Sequence, residues 1–252
     1  MKEVKKIIYS KSLSATIAWT GLIAIFATFP LPVKAITLVT ERTALEGNDR
    51  VNWSSLGPTQ PFNVLPNSFT ATSLGGLGLT VDIPLPTEPG ITPPLVFQTL
   101  QPPSGIPTNF ASGDFVLLTG LNPRTFPAVG NPGPLTITFA QPVLGAGTQI
   151  AVDDTTEFTG FLQAYDTADN LLGSFQLLGT SSTDLDNSAI FLGISSDTAN
   201  ISRLVFSSSV PNRAVGINSL SLVTNRSVPE PSLTIGLLTL TTLAASSKLI
   251  RN

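Results

Sequence analysis

The sequence predicts an all-β protein, an antiparallel β-sandwich of jelly-roll-like type, and three observations carry that prediction. Outside two apolar terminal segments, residues 36–228 hold no long apolar run of 3.6-residue period. The same stretch reads instead as short alternating or apolar runs between linkers rich in Gly, Pro, Ser, Asn and Asp. Strands at this spacing, with no helical pattern between them, favour antiparallel layers over a parallel sheet with crossover helices. There is no cysteine, so the fold must hold by packing, and twelve of the fourteen phenylalanines lie beyond residue 35 to supply large core side chains. An N-terminal signal helix and a single C-terminal membrane helix are expected to flank the sandwich.

The first element is a secretory signal over residues 1–35. Lys2, Lys5, Lys6 and Lys11 form a cationic start, and residues 13–29 follow without a charge. Pro30 and Pro32 break the run, and Val33 and Ala35 supply the small residues at −3 and −1 that signal peptidase requires, so cleavage is expected after Ala35. The competing reading is an uncleaved anchor, since the run approaches the ~17 residues of a minimal span.

The sandwich domain is expected over residues 36–227. Its first half is the looser one: residues 40–49 predict one or two helical turns, and residues 77–83 alternate as a strand after Gly75 and Gly76. Eight prolines then fall within residues 84–107. This reads as a long surface loop inside one domain; an interdomain linker is the other reading of the same composition. A strand resumes at residues 115–118. Residues 135–139 alternate strictly, placing Leu135, Ile137 and Phe139 on one face. Strands follow at 149–153 and 158–165, with the polar residues 154–157 between them read as a hairpin loop. Residues 166–170 (DTADN) form a turn by composition. Strands at 171–178, 189–194, 201–206 and 214–223 complete the set.

The last element spans residues 228–252. Val228, Pro229, Glu230, Pro231 and Ser232 precede an apolar stretch, residues 233–245, within a membrane helix expected over 233–247. The prolines cannot continue a helix or a ladder, so they mark a break before it. Lys248 and Arg251 form a basic tail that would stay on the cytoplasmic side of the inner membrane.

Charge narrows the function classes. All six lysines sit at positions 2, 5, 6, 11, 34 and 248, so residues 36–228 contain none. Six arginines there face fourteen carboxylates, a charge of −8 against −3 for the whole chain. Such a surface repels phosphate backbones, so nucleic acid is not an expected partner; divalent cations or neutral polysaccharide suit it better. With no histidine and no cysteine, Ser-His-Asp and Cys-His nucleophilic systems and ordinary zinc sites are excluded. Without lysine in the exported part, Schiff-base and Ser-Lys chemistry are excluded too.

Carboxylates and two aromatics remain. A glycosidase would need two carboxylates ~5–10 Å apart; Asp153, Asp154 and Glu157, with Asp49 and Asp114, are the candidates, against the plainer reading of solvated turns. Calcium takes six to eight oxygen ligands; the candidate clusters are Asp153, Asp154 and Glu157, then Asp166, Asp169 and Asn170, and then Asp184, Asp186 and Asn187, each against the plainer reading of a solvated loop. No other cofactor is expected. Trp53, beside Asp49, Arg50 and Asn52, and Tyr165 are the candidate carbohydrate contacts; Trp53 reads equally as a core residue with its N–H bonded.

Two sets of motifs carry a resemblance. The order Pro-Glu-Pro, short membrane helix, basic tail resembles the PEP-CTERM sorting signal, which implies an exosortase-type enzyme as a processing partner beside signal peptidase. Residues 48–53 (NDRVNW), 55–57 (SLG), 133–139 (GPLTITF), 164–166 (AYD), 172–175 (LGSF), 189–193 (AIFLG), 196–203 (SDTANISR) and 217–220 (INSL) resemble exported PEP-CTERM proteins of cyanobacterial type. That resemblance implies a lectin-like or galactose-binding-like sandwich and transfers no catalytic residue. The expectation is an exported, non-enzymatic protein, inner-membrane anchored before processing and then at the cell surface or in the extracellular matrix. A carbohydrate- or calcium-binding module of the exopolysaccharide layer is the alternative, and a carboxylate-dependent polysaccharide hydrolase the third reading.

Overall fold

The computed structural model describes residues 36–57, 62–125, 128–153 and 156–225. In chain order the strands are β1 (Ile36–Val39), β2 (Asp49–Val51), β3 (Asn63–Val64), β4 (Ser68–Thr72), β5 (Gly78–Asp82), β6 (Leu95–Gln98), β7 (Phe115–Leu118) and β8 (Leu135–Val143). They continue with β9 (Gly145–Val152), β10 (Glu157–Tyr165), β11 (Leu171–Thr180), β12 (Ile190–Ser196), β13 (Ile201–Ser208), β14 (Val215–Ile217) and β15 (Leu220–Val223). Two 3-10 turns, Thr43–Leu45 and Trp53–Leu56, are the only helical pieces among the described residues.

The strands form two antiparallel sheets. The first runs β1-β12-β9-β14-β7-β6-β3, with β15 lying along β9 beyond β14 and pairing β2; the second runs β11-β10-β13-β8-β5-β4. One core lies between them. From the second sheet, Leu135, Ile137 and Phe139 point inward as their alternation requires, joined by Leu79, Val81, Phe158, Leu162, Leu204 and Phe206. From the first come Val96, Leu117, Ile150, Leu192, Ile194, Val215, Ile217 and Leu222. Fully burying each such side chain is worth roughly 1.5–3 kcal/mol, which accounts for stability without disulfides.

The first sheet is covered on its other face as well. There Leu95, Phe97, Phe110, Val116, Leu118, Ala151, Ala189 and Ala214 form a second cluster, beneath the loops at 99–114 and 181–189. Hydrogen bonds stitch these loops together: Leu185 N–H donates to Thr108 O at 2.8 Å and Ala189 N–H to Asn109 O at 3.0 Å, and Ala111 bridges Asp186. Every residue of β9 is therefore buried.

Several expectations are corrected. The proline-rich stretch 84–107 is not loop throughout, because β6 lies inside it and pairs both β3 and β7. Its Leu95, Val96 and Phe97 are buried, and the prolines flank the strand rather than interrupt it. Residues 154–157 do not close a hairpin: β9 belongs to the first sheet and β10 to the second, so the chain crosses between layers there. Alternation shows that each strand has an inner face, and both sheets offer one. The helix expected over 40–49 shrinks to the Thr43–Leu45 turn, ended by Glu46 at φ 54°. The turn at 166–170 forms as expected, joining β10 to β11, with Asp169 at φ 62° and Asp166 N–H donating to Asn170 O. The expected signal and membrane helices lie outside the described residues; within those residues no helix is long and apolar enough to cross a membrane.

Candidate functional site

The feature that gathers the most polar chemistry is a cleft of about 620 Å³ on the outer face of the first sheet, around Arg42. Phe191 is part of its lining, and that ring packs on a cross-strand glycine pair, Gly147 of β9 opposite Gly193 of β12. A Cβ on Gly147 would stand 2.5 Å from Gly193 Cα and 2.7 Å from the Phe191 ring, so the absence of side chains lets Phe191 lie flat across the pair. Arg42, delivered by the segment after β1, then stands over that ring, its guanidinium carbon 5.2 Å from the centroid.

Asn218 connects this stack to the rest of the site. Ile217 of β14 pairs with Ile150 and Ser221 of β15 with Gly147, so the register along β9 slips by one residue between them. This is a β-bulge: the Asn218 N–H still donates to Gln149 O at 3.3 Å, while the Asn218 carbonyl leaves the ladder and the Gln149 N–H donates to its side-chain oxygen instead. Arg42 donates from Nη2 to Asn218 Oδ1 at 2.7 Å and from Nη1 to Ser221 Oγ at 2.6 Å and Ser219 O at 2.9 Å. Asn218 Nδ2 donates to Asp114 Oδ2 at 2.8 Å and to Gln149 Oε1 at 2.6 Å. Gln149 Nε2 in turn donates to Asn187 Oδ1 and Ala189 O, both at 3.0 Å. Arginine and aspartate thus share one amide that satisfies both at once.

Burial pushes the Arg42 pKa down from its ordinary value, the Asp114 carboxylate opposes this, and Arg50 adds to it. The guanidinium stays charged throughout the range in which proteins are folded. A second cleft of about 550 Å³, reaching Glu46, Asn48 and Arg50, shares Arg42, Thr43 and Ser219 with the first. The two clefts adjoin at Arg42, with donors and acceptors side by side in their linings. Such a lining matches hydroxyl groups, each of which donates once and accepts twice.

The residues expected from sequence fall elsewhere. Trp53 is 0% exposed, with its indole N–H donating to Asn218 O at 2.7 Å, so it offers no ring face to a sugar and supports the bulge from the core side. Tyr165 lies on the outer face of the second sheet; Arg203 covers its ring at 4.0 Å and its hydroxyl bonds Gln163 Oε1. The two aromatics therefore share no site. Asp153 precedes the nine-residue strand β10 and Asp166 follows it, so the two candidate clusters stand at opposite ends of that strand, roughly 30 Å apart at ~3.3 Å per residue. Asp166 Oδ1 accepts from the N–H groups of Ala168 and Asn170, and Oδ2 from Asn170 Nδ2, which closes the turn. Asp49 clasps another turn, accepting from Gly75 N–H and the Ser73 hydroxyl. Asp154 lies outside the described residues, as do Val33, Ala35, Val228, Pro229, Glu230, Pro231, Ser232, Lys248 and Arg251. Among the described residues no group of three or more acidic, His or Cys side chains could hold a metal ion.

Of the residues that do converge, sequence reasoning singled out Asp114, as a carboxylate candidate, and Asn187, as a calcium candidate. A signal for Asn218 was nonetheless present, since Asn218 and Ser219 interrupt an otherwise apolar run at 214–223.

Neither a protein-family model nor a curated protein matches the sequence. Among solved structures, the chain is similar to a DUF4465 family protein from Bacteroides caccae ATCC 43185, at 14% identity and a TM-score of 0.36 over 75% of this chain and 100% of that one. It is also similar to the enzymatically active domain of bacteriophage CBA120 tailspike protein 4, at 12% identity and a TM-score of 0.23, covering 58% of this chain and 18% of that one. A third similarity is to CsCBM6-3 from Clostridium stercorarium, solved in complex with cellobiose, at 9% identity and a TM-score of 0.21 over 64% and 86%. At these scores the similarities assign neither a ligand nor a reaction to this chain.

Proposed function

We propose that this chain is an exported, non-enzymatic β-sandwich protein of the cell surface or extracellular matrix, released from the inner membrane by processing at its C-terminal sorting signal. The observation that supports the reading is that, among the described residues, both sheets and their shared core are built from residues 36–223, which lie between the two terminal segments read as signals. The lysine-free, acidic composition of the sandwich suits an aqueous exterior rich in neutral polymer and cations. The test is the double substitution Pro229→Ala and Pro231→Ala, followed by fractionation of the producing cells. The unaltered chain should reach the surface in shortened form, while the variant stays in the inner membrane with its tail. Equal surface delivery of both chains would overturn the reading.

A second reading is favoured by one observation, the meeting of Arg42, Asp114, Asn187 and Gln149 in one cleft that adjoins a second at Arg42. On this reading the cleft takes a neutral polysaccharide through hydroxyl contacts, without the aromatic platform that Phe191 cannot supply beneath Arg42. A glycan array probed with residues 36–227 should give a signal that Asp114→Asn weakens. Absence of any glycan signal leaves a purely structural role.

A further inference from the structure

We propose that this protein forms a two-fold dimer in which the open edge of β11 pairs antiparallel with the same edge of a second copy. Among the described residues, β1, β2, β3, β4 and β11 have a neighbouring strand on one side only. The first four are two to five residues long, and short edge strands are a common guard against edge-to-edge pairing. Strand β11 is ten residues long, and its sequence LLGSFQLLGT holds neither charge nor proline. Its one bulge lies at Leu172, so residues 173–180 keep a regular ladder with β10. Residues 36–228 carry a charge of −8, yet along this edge a second copy meets no like charge.

The alternation of hydrogen bonds shows which main-chain groups are open. Ser209 N–H donates to Thr159 O and Ser181 N–H to Thr156 O. Odd-numbered residues of β10 therefore bond β13, and even-numbered ones bond Gly173, Phe175, Leu177 and Gly179 of β11. Ser174, Gln176, Leu178 and Thr180 aim their N–H and C=O groups away from β10, and all four residues are exposed. At the far end Asn109 Nδ2 donates to the Thr180 carbonyl at 2.8 Å and closes the edge there. Ser174, Gln176 and Leu178 form the open stretch, with Gln176 at its centre. A two-fold axis at Gln176 sets this residue opposite its own copy and Ser174 opposite the partner's Leu178, each pair exchanging N–H···O bonds in both directions. The same register sets Phe175, half-buried on the inner face, opposite the partner's Leu177, also half-buried in its own chain. Apolar side chains thus meet apolar ones across the axis, and such cross-strand pairs stabilise sheets. This self-complementarity singles out a second copy as the occupant. Pairing uses up the edge in both copies, so assembly closes at two.

The chain has no cysteine, so an introduced thiol reports its own neighbour. In this register the two Gln176 Cα atoms stand ~5.5 Å apart, within reach of a disulfide. Producing cells that express the full chain are treated with diamide, which takes up the two electrons and two protons released by a pair of thiols. Gln176→Cys should then run as a linked dimer on a non-reducing gel. Ser174→Cys should stay monomeric, because its two copies lie four residues out of register, roughly 13 Å apart at ~3.3 Å per residue. Leu85→Cys, at a position 77% exposed in the loop after β5, should stay monomeric as well. Combining Ser174→Cys with Leu178→Cys should restore the link. No dimer from Gln176→Cys, or as much dimer from Ser174→Cys or Leu85→Cys, would overturn the proposal. The outcome is independent of the Arg42 cleft and of terminal processing, which rest on other residues.

Discussion

Asn218 does more than any other single residue to hold the outer face of the first sheet. Its side chain bonds Arg42, Asp114 and Gln149, and its backbone oxygen accepts the Trp53 indole N–H. Asn218→Ala should therefore destabilise the protein by about 3 kcal/mol or more, since several buried partners each lose ~1–3 kcal/mol worth of satisfaction. Urea unfolding measures this; a loss below ~1 kcal/mol would mean the network contributes little. Asp186 gives a prediction in pH. Its carboxyl is held below the usual aspartate range by the Ser188 hydroxyl and then by the Ser188 N–H. A depressed folded pKa gives stability that is fully present above the ordinary value of ~3.9 and is lost as pH falls through the lower folded value. Ser188→Ala should move the Asp186 midpoint upward in a carboxyl carbon NMR titration, and an unmoved midpoint would contradict that cause.

At the scale of elements, the glycine pair is the point where strand geometry becomes site geometry. Gly147→Ala would push a methyl group into the Gly193 backbone and the Phe191 ring. The expected result is a loss of roughly 1–3 kcal/mol, as in other overpacked cores, together with a displaced Arg42. Thermal unfolding reads the first effect, and a crystal structure of the variant the second. An unchanged Tm would show that β9 and β12 can separate there at no cost. These same elements show what the sequence could express. The alternation of β8 made Leu135, Ile137 and Phe139 legible as core, and the Asp/Asn turn at 166–170 was legible from side chains that bond their own backbone. Strand β9 was half hidden, because its opening Gly145-Ala146-Gly147 has no alternation to read, being covered on both faces. Strand β6 was concealed by its neighbouring prolines. The Arg42 site was invisible because Arg42 and Asn218 lie 176 positions apart in the chain, and no local pattern records such a meeting. Trp53 drew attention for its polar neighbours, although they flank a residue that turns inward.

For the whole molecule, two sheets close one core and loops build a second on the outside, so the first sheet becomes the buried middle layer. The polar cleft around Arg42 forms in that outer layer. On the proposed reading, the fold between Ile36 and Val223 persists and the segments on either side are removed. Mass-spectrometric mapping of both ends of the protein recovered from the surface of producing cells tests this most directly. The account predicts an N-terminus at Ile36 and a C-terminus near Pro229 to Pro231, with Lys248 and Arg251 absent. A chain recovered from the soluble cell interior with Met1 and Asn252 both in place would contradict it.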